Sequence, residues 1–363
     1  MLNTLWVAPL VLWGLTIDPD PIDNPVHTLY LVLTLCFWVG HRFSSAWLAY
    51  FTSAYRPLLT SQRVRFVWVP LAIAAATFAF LLPGDDSVLG PRARRVMYLI
   101  IADYALITYH FASQHFGFLS LYSVRAGRPR SVWRRRFDRW YALGIGGLMV
   151  ILAELIAGTI FYQDVWVDPF IDPVWLHRAQ ATLQVVGTSI VALATLALLA
   201  LEFRSGRPSL PRSLYLLSIG ALVTTAFFVN PFVFIVLWAT QHWIAAMGLA
   251  TVVARGDPEP EGHGWYAFWH RFNVKPILLV PLLVAVSAVL LPVMEVEALG
   301  EDEVGFAEAL VPWLADALAN STWVPALIAL GFTTAFLHYT LDRAVFRLSD
   351  PDVRKAARGL FDR

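Results

Sequence analysis

Charge is scarce in this sequence. Only 15% of its 363 residues are Asp, Glu, Lys or Arg, where a soluble domain carries about a quarter. Cysteine is nearly absent: the lone Cys36 excludes an intrachain disulfide and any CxxC metal site. Residues 1–17 have no basic start, and "DPDPIDNP" follows them instead of a small-residue cleavage site, so this stretch reads as a retained first helix and not a signal peptide. Net charge of +1 gives no footing for a nucleic-acid partner.

What the chain does have is apolar length. It is 58% apolar with a mean hydropathy of +0.60, and its apolar runs are continuous stretches of about 20 residues, the length of a helix crossing about 30 Å of hydrocarbon. Closed barrels alternate instead, so the fold class expected is all-α, a multi-spanning transmembrane helix bundle. Ten spans are expected, near 2–17, 27–52, 65–83, 96–122, 141–162, 181–203, 213–229, 231–254, 276–294 and 322–346. Fifteen tryptophans suit aromatic belts at both interfaces.

The basic residues set the orientation. Loops at 53–65, 123–140, 204–212 and 255–275, with the end from Arg343, hold twenty-two of the twenty-seven Lys and Arg. The segment "SVRAGRPRSVWRRRFDRW" alone holds seven. Alternate loops are acidic, as in "QDVWVDPFIDP" and "EVEALGEDEVGFAE". The positive-inside rule then puts both termini in the cytoplasm and the protein in the cytoplasmic membrane. Residues 1–348 form the expected bundle. Residues 349–363, "PDVRKAARGLFDR" after Ser349-Asp350, read as a capped amphipathic cytoplasmic tail, and "GWYAFWHRF" as an aromatic interfacial helix.

Against this background the histidines stand out. "YHFASQHFGF" at 109–118 and "LWATQHWIAA" at 237–246 repeat a Gln-His pair inside apolar runs. His41, His110, His115, His242 and His338 all fall on even-numbered spans, which share one direction. His41 lies fifteen residues before Arg56, His115 ten before Arg125, His242 thirteen before Arg255 and His338 nine before Arg347. At about 1.5 Å per residue these depths agree within about two helical turns, so four parallel helices can bring imidazoles to one layer. A polar side chain in hydrocarbon is costly unless paired, and neutral imidazole is a common ligand for iron, copper and zinc. The five histidines are therefore the expected metal ligands, with iron first and haem or copper as alternatives. His110 and His115 are about 140° apart around their helix, so one of them is expected to support the other. Gln114, Gln241 and Asp342 are candidate partners in the chemistry. Asp342, four residues after His338, can fix the tautomer of its ring, bind metal itself or pair with Arg343. Asp103, Glu154 and Arg42 are further polar groups in the spans. His27, His177, His263 and His270 sit at span ends or in loops and read as interfacial.

Three spacings separate the metal chemistries. No helix repeats histidines thirteen or fourteen residues apart, the pattern of di-haem bundles. "HFASQH" matches one HxxxxH desaturase box, but no HxxHH follows. The third pattern is isolated intramembrane histidines on separate helices. With "QHFGF" around His115, it resembles the bacterial Brp/Blh group of membrane β-carotene dioxygenases over about a third of the chain. The resemblance implies a multi-helical membrane enzyme that uses iron and dioxygen on a carotenoid. The chain departs from that group in having no acidic residue soon after "HFG". Its end, "FLHYTLDRAVFRLSDPDVRK", resembles a wider, uncharacterised set of polyhistidine membrane proteins. The expectation is a membrane oxidoreductase acting with dioxygen on a lipophilic substrate: carotenoid, isoprenoid, quinone or acyl chain. Trp38, Phe116, Trp238 and Trp243 would shape its pocket. A haem-binding electron-transfer protein and a proton-coupled transporter are the alternatives.

Overall fold

The computed structural model describes residues 25–127, 131–161, 173–204, 208–229, 231–286 and 322–361. All regular structure among them is helical. The helices are α1 (Pro25–Phe51), α2 (Arg56–Ser61), α3 (Val64–Leu81), α4 (Arg92–Arg125), α5 (Val132–Trp140), α6 (Met149–Phe161), α7 (Pro173–Thr182), α8 (Thr188–Phe203), α9 (Leu210–Thr225), α10 (Pro231–Arg255), α11 (Trp265–Asn273), α12 (Pro276–Val286), α13 (Val324–Val345) and α14 (Pro351–Ala356). Wider π-helical turns join α5 to α6 at Tyr141–Leu148 and α7 to α8 at Leu183–Gly187.

Among the described residues, five helices are long and apolar enough to cross a membrane: Val64–Leu81, Arg92–Arg125, Val132–Ile156, Val174–Phe203 and Val324–Val345. The pair α11 and α12, bent by 108°, is a sixth if it acts as one span. Large apolar side chains such as Val185, Leu193 and Leu196 on Val174–Phe203 point outward, as lipid-facing residues do. These are the helices of a membrane protein. The expected first span at 2–17 lies outside the described residues, as does the end of the ninth.

One boundary differs in an instructive way. The second half of the basic loop at 123–140 is helical and runs straight into the span that follows. Ser131 caps it by accepting the Arg134 amide N–H at 3.2 Å. Its Asp138 is fully buried, which a count of charges along the sequence does not reveal.

The chain divides into two compact units, Met1–Leu29 with Ile107–His242, and Tyr30–Leu106 with Trp243–Arg363. The first is organised around a buried arginine. Arg212 of α9 donates to Asp138 of α5 at 2.5 Å, to Glu202 of α8 at 3.0 Å, and to the Leu119 carbonyl and Ser123 hydroxyl of α4 at 2.9 and 3.1 Å. Arg134 adds a second guanidinium to Glu202 at 2.5 Å. A buried charge survives only when paired and hydrogen-bonded, and this node satisfies that condition with partners on three other helices. Nearby, Gly220 lets α9 approach α8, since a Cβ there would meet the Thr195 hydroxyl at 2.7 Å.

In the second unit α3 and α13 share a core of Leu81, Val324, Ile328, Ala329 and Phe332, joined by Val96 of α4. Arg95, fully buried, closes the end of α3 by donating to the carbonyls of Phe80 and Pro83, each at 2.6 Å, and Gly84 at 3.1 Å. A cation at a helix C-terminus satisfies orphan carbonyls and complements the helix dipole. Beyond α1, Asp257 accepts the Ser53 hydroxyl and Ala54 amide at 2.7 and 2.9 Å, and Asn273 joins α11 to Trp47 and the Phe51 carbonyl.

The C-terminal segment is capped as its sequence suggests. Partial burial pushes the Asp350 carboxyl upward, but bonds from the Val353 amide, Arg65, the Asp352 amide and Gln62 hold it below the ordinary aspartate range. The segment also packs: Val353, Ala356, Ala357 and Leu360 are buried, and Gly359 lies against α10. A Cβ on Gly359 would fall 2.5 Å from the Val252 carbonyl and 3.1 Å from the Gly256 amide. Backbone cannot yield as a side chain can. Gly359→Ala should therefore cost about 1–3 kcal/mol and loosen the last turn, read as faster proteolytic trimming of the C-terminus in detergent.

Candidate metal centre

Of the five histidines in the apolar runs, His41, His110, His242 and His338 form a group that could hold one metal ion. Within the first unit, His110 of α4 and His242 of α10 meet edge to face, with ring centroids 4.9 Å apart. Phe111, the neighbour of His110 in sequence, stacks on the His242 ring at 3.6 Å and meets Trp238 at 4.4 Å, which fixes the plane of the His242 ring. Within the second unit, His41 of α1 and His338 of α13 are in edge contact at 4.0 Å. All four are buried, and each offers one ring nitrogen within 4.8 Å of those of the others.

The partners of these rings prepare them as ligands. His41 Nδ1 lies 3.3 Å from the Trp38 carbonyl, which can only accept, so this contact favours the tautomer that carries its proton on Nδ1. One turn along the same helices, the Ser45 hydroxyl donates to Asp342 at 2.8 Å. Ser45 is four residues after His41 and Asp342 four after His338, so this bond ties α1 to α13 directly beside their histidines. Asp342 is buried while Arg343 is exposed, and Asp342 lies outside the set of four ring nitrogens. Tyr339, next to His338, donates to Asp103 of α4 at 3.0 Å. Arg42 sits over the Trp38 ring at 4.1 Å.

His115 is placed differently. Its Nδ1 is 2.9 Å from the Tyr215 hydroxyl on α9, and it is not one of the four. Gln241, buried on α10, hydrogen-bonds the same phenol. The His of the first Gln-His pair and the Gln of the second thus share one tyrosine, while His110 and His242 on those two helices face each other. Gly146 leaves room for the arrangement, since a Cβ there would lie 3.0 Å from the His115 ring. Gln114 is half-buried, and its Nε2 has no hydrogen-bond partner among the described residues. Glu154 is buried on α6, apart from the four histidines. His270 lies 3.5 Å from Asp257, away from the cluster.

Sequence reading did not anticipate Tyr215, Ser45 or Phe111. Ser45 carried a signal, the i,i+4 spacing from His41 that matches Asp342 and His338. Tyr215 carried none, because its importance comes from three helices meeting at one hydroxyl.

The donor set fits a metal ion. Imidazole–metal bonds are about 2.0–2.1 Å long, and neutral imidazoles are common ligands for iron, copper and zinc. No family model, curated protein or solved structure matches the chain.

The shared phenol gives a direct test. Tyr215→Phe removes only the hydroxyl and leaves His115 and Gln241 facing a buried hydrocarbon edge. It should destabilise the protein by about 1–3 kcal/mol, measured by thermal unfolding in detergent, where a Phe substitution at an exposed tyrosine such as Tyr98 should have no measurable effect.

Proposed function

We propose that the protein is an oxidoreductase of the cytoplasmic membrane in which His41, His110, His242 and His338 hold one non-haem iron, acting with dioxygen on a lipophilic substrate. The observation that carries this reading is the buried four-histidine cluster. Four neutral imidazoles leave a divalent iron its full charge, and a six-coordinate ion held by four ligands keeps two positions for substrate or dioxygen. Bound iron supplies the one-electron chemistry that dioxygen needs to attack a closed-shell hydrocarbon.

The surrounding residues support a lipophilic substrate. Phe111 stacks on His242 and in turn meets Trp238, and Trp38 and Trp243 lie 6.3 Å apart. Carotenoid, isoprenoid, quinone and fatty acyl chains share the apolar surface such walls select. The indole N–H of Trp238 and that of Trp243 are both buried with no hydrogen-bond partner among the described residues. An unmet buried donor costs about 1–3 kcal/mol, so each favours a ligand that brings an oxygen within reach. The resemblance to the Brp/Blh group supports iron, although the histidine in its "QHFGF" stretch is the one engaged by Tyr215.

Metal analysis of the purified protein tests the reading. Iron at near one per chain without a Soret band is the expected result, a Soret band would return the haem alternative, and metal-free protein would favour the transporter. His242→Ala and His338→Ala should each lose the metal yet remain inserted, while His270→Ala keeps it. Asp342→Asn should weaken metal binding about 10–100-fold, the usual effect of removing a ligand's supporting carboxylate. Equal metal loss in all three alanine variants would mean general instability and overturn the assignment.

A further inference from the structure

The nine residues of α5 divide into three stripes. At about 100° per residue, Arg134 and Asp138 fall on one side, where they join the buried Arg212 node. Trp133, Phe137 and Trp140 fall together on a second side, exposed by 58%, 37% and 76%, with Trp133 and Phe137 stacked at 5.1 Å. Arg135, Arg136 and Arg139 fall on the third, all exposed, and no carboxylate among the described residues pairs with them. The buried Asp138–Arg212 bond sets the rotation of the helix, so the aromatic and basic stripes are held outward side by side.

We infer that this flank of α5 is a docking site for an anionic phospholipid of the bilayer. The helix is the end of a segment apolar enough to span a membrane, so its aromatic stripe stands where hydrocarbon gives way to headgroups. Indole rings favour that boundary, and the adjacent guanidinium groups match a phosphodiester in both charge and geometry. The charge complementarity selects phosphatidylglycerol over zwitterionic lipid. Three arginines outside this flank, Arg134, Arg212 and Arg95, are committed to internal partners, which separates structural from lipid-facing basic residues.

Electron spin resonance of the full chain in phosphatidylcholine vesicles tests this, with trace spin-labelled phosphatidylglycerol or phosphatidylcholine as probe. Wild type should immobilise the phosphatidylglycerol label preferentially, and molar salt should weaken the preference. Changing Arg135, Arg136 and Arg139 together to Gln should lower it by at least about fivefold. The same change at Arg63, Arg347 and Lys355 should leave it intact. A preference absent from wild type, or equal in wild type and the Arg135/Arg136/Arg139 variant, would overturn the assignment. So would its loss to inorganic phosphate at matched ionic strength, which would indicate a free-anion site.

Discussion

A polar group inside an apolar bundle has no water to turn to, so it must find its partner on another helix. Every other feature of this protein depends on that constraint. Arg212 meets it with Asp138, Glu202 and the α4 backbone. Asp342 meets it with Ser45, and His115 with Tyr215. Each bond also fixes the rotation of a helix, because only one face can present the group. Rotation decides which side chains meet, and here it sets His110 against His242 and His41 against His338.

The cluster is held by bonds one turn away as much as by its own ring contacts. Ser45–Asp342 sets the pair of helices carrying His41 and His338. Tyr215, between His115 and Gln241, sets the pair carrying His110 and His242. A metal site needs its ligands fixed to within about half an ångström, and side chains locked by packing and hydrogen bonds provide this better than loops do. The two Gln-His pairs resemble one another in sequence, yet they contribute different members to the two tasks.

The arginines show a similar division. Arg95 and Arg212 are fully buried and satisfy helix ends and carboxylates, whereas Arg135, Arg136 and Arg139 are exposed on one flank of α5. Adjacent residues in the run "WRRRFDRW" therefore have opposite fates. The reason is helical periodicity, since consecutive side chains point about 100° apart and only one narrow stripe faces the protein.

By itself the sequence determined the helical class, the presence of apolar membrane-length segments and the list of histidines within apolar runs. These follow from composition and run length, which act locally. Depth along each helix was legible too, because rise per residue is constant, and it marked His41, His110 or His115, His242 and His338 as able to share a layer. Which of His110 and His115 joins the cluster was not legible. That depends on the direction from which α9 and α10 approach α4, and on the space left at Gly146. The burial of Asp138 and Arg212 was hidden for the same reason: a charge reads as solvated until a partner from a distant segment is brought against it. Tertiary structure decided the partners because hydrogen bonds between helices depend on rotation and approach, and neither is written in the local pattern of residues.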